Sequence, residues 1–212
     1  MTRGRFIALE GGEGTGKSTQ ARLLAEALEA RGLEVELTRE PGGTPGAEAI
    51  RQLLLDPPGE GWGPQAEALL FAAARADHVA RRIGPALQQG RWVVCDRFVD
   101  SSRAYQGGAG GVGDETVRAL HAIGSGGLRP DLTLLIEVEP AEAAARLTER
   151  DGTAADAIGG RAPDYHRAVA ESFQALAADD PAGFARVDGS GTVEQVHARV
   201  MQAVTPLLGS AR

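Results

Sequence analysis

Lysine is almost absent from this chain: Lys17 is the only one, and every other side chain that is positive at neutral pH is an arginine. Asparagine is missing altogether, which excludes a guanine-reading Asn-Lys-x-Asp motif and the catalytic-loop asparagine of protein kinases. Cys95 is the single cysteine, so neither an intramolecular disulfide nor a four-thiolate zinc site can form. Such a chain suits a reducing compartment, and Cys95 reads as a small buried hydrophobe. The formal net charge of -7 is the wrong sign for gripping a nucleic-acid polymer, which needs clustered Lys and Arg. Long apolar runs are missing too. The stretch 6–9 is too short for a signal peptide and 68–74 too short to cross a bilayer, so a soluble cytoplasmic protein without membrane contact is expected. His78, His121, His166 and His197 show no metal-ligand spacing, and no G-x-S-x-G elbow occurs, so the histidines are assigned no chemistry.

What remains is an alternation of β-branched apolar stretches with helical patterns. This predicts one α/β domain of 212 residues, a five-stranded, mainly parallel sheet flanked by helices. Strands are expected over 5–10, 33–38, 92–96, 132–138 and 184–188. Helices are expected over 17–30, 45–55, 64–89, 114–123, 140–149, 163–178 and 192–208, with proline opening several and glycine closing others. Three Gly- or Pro-rich stretches, 56–63, 106–113 and 151–162, read as loops, the last long enough to be a mobile lid.

The residues Gly11-Gly12-Glu13-Gly14-Thr15-Gly16-Lys17-Ser18 fit G-x-x-x-x-G-K-[ST] between a strand and a helix, which is the context a P-loop requires. Glycines let successive N–H groups converge on phosphate oxygens, and the helix N-terminus adds its positive dipole end. Lys17 is then placed on the β and γ phosphates of ATP, with Ser18 on Mg2+ and Thr19 completing the nucleotide-binding stretch. Asp96 ends an apolar strand and so places a carboxylate at the carboxyl end of the sheet, where a partner for Mg2+ belongs. Arg97 follows it and can clamp an acceptor phosphate through two parallel hydrogen bonds. Further candidates for charge neutralisation are Arg39, Arg51, Arg75, Arg146, Arg150 and Arg161, with Arg39 and Arg161 placed beside Lys17 and Arg97 in the catalytic set. Solvated ion pairs account for most arginines unless a motif selects them.

Five blocks in order carry a resemblance: the P-loop; Thr38-Arg39-Glu40-Pro41-Gly42-Gly43-Thr44; Leu69-Leu70-Phe71-Ala72-Ala73-Ala74-Arg75; Asp96-Arg97-Phe98-Val99-Asp100-Ser101-Ser102-Arg103-Ala104-Tyr105-Gln106; and Arg129-Pro130-Asp131-Leu132-Thr133. On them the chain resembles the bacterial thymidylate kinases, a family within the P-loop nucleoside monophosphate kinases, over nearly its full length. The resemblance implies transfer of the ATP γ-phosphoryl to dTMP. Phe71 would stack on thymine, Arg75 and Ser102 would read its polar edge, and Gln106 would lie nearby with Ser101. Tyr105 would stand where a ribose 2'-hydroxyl clashes. Arg51 and Arg97 would hold the acceptor phosphate, and Glu13 and Glu40 would lie near its sugar and phosphate. The stretch 188–192 would pass the adenine, and helices beside the sheet, 64–89 among them, would form a homodimer.

Two positions depart from the family pattern. The lid Asp-Arg pair is absent, because Asp156 is followed by Ala157; Arg161, Arg150 and Arg146 are the alternatives for its cation. Glu137 stands where Asp is more usual. A kinase for another (deoxy)nucleoside monophosphate, or an ATP-binding module of weak activity, are the rival readings.

Overall fold

A computed structural model describes residues 3–151 and 157–209. Five strands, β1 Phe6–Glu10, β2 Val35–Arg39, β3 Trp92–Asp96, β4 Leu132–Glu137 and β5 Phe184–Asp188, form one wholly parallel sheet in the order β2-β3-β1-β4-β5. Both faces are covered, which is why these strands read as continuous apolar runs. Alternation still decides where each side chain goes. Ile7 and Leu9 pack with α1 (Lys17–Glu29) and α9 (Val193–Gly209) through Leu24, Leu28, Val196 and Val200, while Phe6 and Ala8 turn to Ile83, Leu87 and Phe98 on the opposite face. Cys95 is fully buried in the second cluster, as its hydrophobic reading predicts.

The other helices are α2 Pro45–Leu55, α3 Pro64–His78, α4 Gly84–Gln88, α5 Val99–Ser102, α6 Asp114–Ser125, α7 Pro140–Asp151 and α8 Pro163–Asp179. The Thr44 hydroxyl caps α2 by accepting from Ala47 N, and Pro45 follows at the first helical position. The helix expected over 64–89 is continuous in direction but not in winding. Val79–Ile83 is π-helical, and Gly84 N–H reaches back to Val79 O. Pro85 has no N–H to give and its ring crowds the preceding turn, so the ladder widens ahead of it.

The expected loop over 106–113 is corrected in its first half. Helix α5 runs on as a π-helical segment, Arg103–Ala109. Arg103 pins its start, donating to Asp100 at 3.0 Å and to Asp114 at 2.7 Å. Tyr105 packs edge-on against Phe173 of α8, with ring centroids 6.2 Å apart. Gly108 permits the close approach, since a Cβ there would lie 2.1 Å from Ser172 Oγ. Tertiary packing overrides the weak helix propensity of these glycines.

Candidate active site

Register brings the chemistry together. β1 and β3 pair with Leu9 opposite Asp96, so the P-loop that leaves β1 and the turn that leaves β3 lie side by side at the carboxyl end of the sheet. Ser18 Oγ donates a short hydrogen bond to Asp96 Oδ2 across this junction. The other carboxylate oxygen, Oδ1, is buried and has no protein partner. A hydroxyl beside an unpartnered buried carboxylate oxygen is a donor set that fits a hard divalent cation.

Lys17 is buried at the head of α1, and its Nζ donates to Gly12 O at 2.5 Å and Thr15 Oγ1 at 3.3 Å. Burial, and after it the neighbouring Arg97 guanidinium, lowers its pKa to about 8. A polyanion arriving at the loop would reverse that shift.

Arg97 adopts the left-handed conformation, φ 70°, at a cost of order 1–2 kcal/mol for a residue with a Cβ. The surroundings fix it there. Its N–H donates to Leu9 O at 2.9 Å, its Nη1 to Gly11 O and Ser101 Oγ at 3.0 Å each, and its Nη2 to Glu13 Oε1 at 2.6 Å and Tyr105 OH at 3.3 Å. Burial works against its charge, but Glu13 and other nearby acids outweigh it and raise the pKa further. Beneath this turn lies Glu10, fully buried. Its Oε1 accepts from Phe98 N at 2.8 Å and Ser101 N at 3.0 Å, and its Oε2 from Ser101 Oγ at 2.5 Å. Burial, followed by the Asp100 charge, lifts its pKa to about 7.

Lys17, Ser18, Asp96, Arg97 and Ser101 open onto one cavity of about 450 Å³. Along its P-loop side run Glu13, Gly14, Gly16, Lys17, Ser18 and Thr19; Asp96, Arg97 and Ser101 lie at its centre; Arg39, Glu40, Arg51, Phe71, Arg75, Ser102, Tyr105 and Gln106 line the opposite end. Gly11, Gly12 and Thr15 do not line the cavity. Arg39 is largely exposed and ion-pairs with Glu48, while Arg51 donates to Pro41 O at 2.8 Å. Apolar walls from Leu55, Leu147 and Ile158 were not legible in the sequence, since nothing marks them apart from ordinary core residues.

The candidate lid cations separate. Arg146 of α7 lines the cavity near Gly16, donating to Glu142 Oε1 at 2.6 Å and Gly189 O at 2.9 Å. Arg161 does not line it. Its Nη2 makes a short bond to Glu67 Oε2 and its Nη1 donates to Tyr165 OH at 2.5 Å, beside a second cavity of about 250 Å³. Glu67 Oε1 in turn accepts from Gln106 Nε2 at 2.9 Å. Asp156 and the centre of the expected lid, 152–156, lie outside the described residues. Glu137 pairs with Arg186 on the neighbouring strand. Among the described residues there is no cluster of three or more His, Cys, Asp and Glu side chains with metal-holding geometry, and no helix long and apolar enough to cross a membrane.

A parallel sheet with a P-loop after β1, an Asp-Arg turn after β3 and a second, arginine-lined end to the same cavity defines a P-loop nucleoside monophosphate kinase. The family model for thymidylate kinase matches residues 9–200. A thymidylate kinase of Rhizorhabdus wittichii is 57% identical over 205 residues, covering 97% of this chain and 99% of that protein. One of Chromohalobacter salexigens is 51% identical over 211 residues, covering 99% of each. The crystal structure of thymidylate kinase from Ehrlichia chaffeensis superposes with a TM-score of 0.77 at 32% identity, covering 96% of this chain and 99% of that one. The chain belongs to the thymidylate kinase family.

Proposed function

We propose that this enzyme transfers the γ-phosphoryl of ATP to dTMP, giving ADP and dTDP. The observation that carries the reading is the single cavity, with a P-loop at one end and Phe71, Arg75 and Ser102 at the other, bridged by Arg97. A phosphate monoester has a second pKa of about 6, so at neutral pH the acceptor is already largely a dianion and needs no general base. Placement and charge do the rest. An acceptor phosphate oxygen attacks the γ phosphorus in line, and the bond to the β–γ bridging oxygen breaks as ADP leaves.

Lys17 and the P-loop amides hold the β and γ phosphates. Arg97, with Arg51 and Arg39 on the acceptor side, aligns the incoming phosphate. Ser18 and Asp96 would hold Mg2+, which when bound neutralises charge on the β and γ oxygens. Phe71 stacks on the base, Tyr105 excludes a 2'-hydroxyl, and Glu13 fixes Arg97 through the 2.6 Å contact. With alanine at 157, the cation facing the P-loop is supplied by Arg146, and Arg161 tethers the lid to the acceptor side through Glu67. Lid closure excludes water and suppresses ATP hydrolysis.

The enzyme acts in the cytoplasm as a homodimer through α3 and α6. These helices touch at Ala76 and Gly124 and leave Leu69 and Ile123 55% and 85% exposed. Sedimentation showing only monomer at micromolar concentration would overturn the assembly. The function itself is tested by a coupled assay with dTMP, dUMP, dCMP and dGMP. ADP release should be fastest with dTMP; release with none of the four, or preferentially with another, would overturn the reading.

A further inference from the structure

Glu40 and Arg75 form a buried ion pair at the acceptor end of the cavity, 2.7 Å from Arg75 Nε to Glu40 Oε2, with the two side chains 3% and 4% exposed. The arginine's other contacts run along one edge of the guanidinium: Nη2 donates to Ser102 Oγ at 2.8 Å and to Phe98 O at 3.4 Å, and its plane lies over the Phe98 ring. Nη1 has no partner among the described residues. The side chain is therefore held on three sides, with one NH2 group unspent in a wall of the cavity.

The other half of the Glu40 carboxylate leads away from the cavity. Glu40 Oε1 lies 3.0 Å from His78 Nδ1, and His78 Nε2 lies 2.7 Å from Thr38 Oγ1. A carboxylate only accepts, so Nδ1 carries the proton that it donates, and Nε2 bonds the Thr38 hydroxyl, which can donate or accept. Thr38, His78 and Glu40 are thus linked in one chain that ends where the Arg75 bond converges. His78 is 0% exposed and does not line the cavity. Gly43 roofs this pair: it has φ 89°, and a Cβ there would lie 2.5 Å from Nε2 and 2.6 Å from Thr38 Oγ1. A histidine whose two nitrogens are both bonded inside the core is costly to place unless every bond is made.

We infer that His78 determines acceptor-base specificity from outside the site, as a positioning residue that fixes Glu40 and, through it, the guanidinium of Arg75. The inference rests on the dTMP kinase reading. Arginine donates and never accepts, so a fixed Nη1 favours a carbonyl on the acceptor pyrimidine and rejects an amino group at the same place. Thymine presents a carbonyl at its 4-position and cytosine an amino group. With His78 removed, the Glu40 carboxylate can turn, the guanidinium follows it, and the discrimination weakens while the P-loop end is untouched.

The test compares wild type with His78→Leu, His78→Asn and Thr38→Val, measuring kcat and KM for dTMP, dCMP and ATP together with the melting temperature. His78→Leu should raise the KM for dTMP about tenfold and lower the dTMP-to-dCMP ratio of kcat/KM by a similar factor, with the KM for ATP within twofold of wild type. His78→Asn, whose amide can donate from the position of Nδ1, should recover most of the ratio, and Thr38→Val should fall between. If His78→Leu does not fold, the His78→Asn and Thr38→Val ratios decide. Unchanged ratios in folded variants, or dTMP and ATP constants that move together with the melting temperature, would overturn the role. Wild type that prefers another acceptor would instead overturn the dTMP reading.

Discussion

Arg97 and Glu13 meet at 2.6 Å, Nη2 to Oε1, and this contact joins the turn after β3 to the P-loop after β1. It fixes the arginine in the wall of the cavity beside the P-loop. Arg97→Ala should lower kcat/KM for dTMP by about a hundredfold to a thousandfold, the range for losing one preorganised charge-stabilising donor. Glu13→Gln keeps the shape but loses the charge-assisted bond and should cost about ten- to a hundredfold in kcat, on a bond worth about 1.5–3 kcal/mol. Steady-state kinetics with dTMP as the varied substrate checks both, and near wild-type rates for Arg97→Ala would remove it from the mechanism.

Lys17→Ala should reduce transfer by about a hundredfold or more while circular dichroism stays native, because the lost ammonium is bonded to Gly12 O and Thr15 Oγ1 of the loop and not to the core. In the free enzyme its pKa is lowered to about 8, so the charge that attracts ATP disappears as pH rises through that value. The pH profile of kcat/KM for ATP should therefore fall on its alkaline side near 8. The fall in kcat should come at higher pH, because bound phosphates stabilise the ammonium. Coincident alkaline limbs would count against this.

Asp96→Asn removes the negative charge from the buried, unpartnered oxygen facing Ser18. The Mg2+ concentration giving half-maximal rate should rise at least tenfold, with maximal rate partly recovered at high Mg2+. A magnesium titration indistinguishable from wild type would exclude Asp96 as a metal partner.

Glu10 tests the electrostatics beneath the site through stability. Its folded pKa, about 7, lies above the ordinary 4.5, so between those values the folded state holds more protons than the unfolded one. Stability from this group is thus greatest at low pH and falls as pH rises from 4.5 to 7, by up to about 3 kcal/mol. Glu10→Gln cannot titrate and still offers an acceptor to Phe98 N and Ser101 N. The stability difference, variant minus wild type, should grow from pH 5 to pH 8 in denaturant melts. Parallel curves would show that Glu10 does not titrate in that range.

Arg146 and Arg161 should separate by substrate. Arg146→Ala should raise the KM for ATP about tenfold or more, about 1.4 kcal/mol and near the lower end of what one charged hydrogen bond is worth. Arg161→Ala, which frees Glu67 and with it Gln106, should act on the KM for dTMP. Ala157→Arg should raise kcat if the position beside Asp156 faces the γ-phosphate. The same KM shifted in both alanine variants would refute the division.

Legibility varied with how local the signal was. The P-loop, Asp96 and the strands could be read directly, because glycine spacing, a run of β-branched residues and a terminal carboxylate are local patterns. β3 and β5 appear at their expected bounds, β1 and β4 differ by one residue at one end, and β2 starts two residues later and ends one later than expected. The helical course of 103–109 could not be read, because Arg103 and Tyr105 find their partners on α6 and α8 and override a glycine-rich stretch. The histidines gave no signal either: His78 gains its partners from β2 and the turn beyond it, tens of residues away in sequence.

By itself, then, the sequence determined the parallel α/β class, the phosphate-binding loop with its lone lysine, and the family, since each is written in neighbouring residues. Only the tertiary structure decided which arginines line the cavity, which carboxylates are already committed, and which oxygen of Asp96 is left to be shared. The physical reason is that a charge's role is set by the partners within a few ångströms of it, and in a parallel sheet those partners arrive through strand register and helix packing.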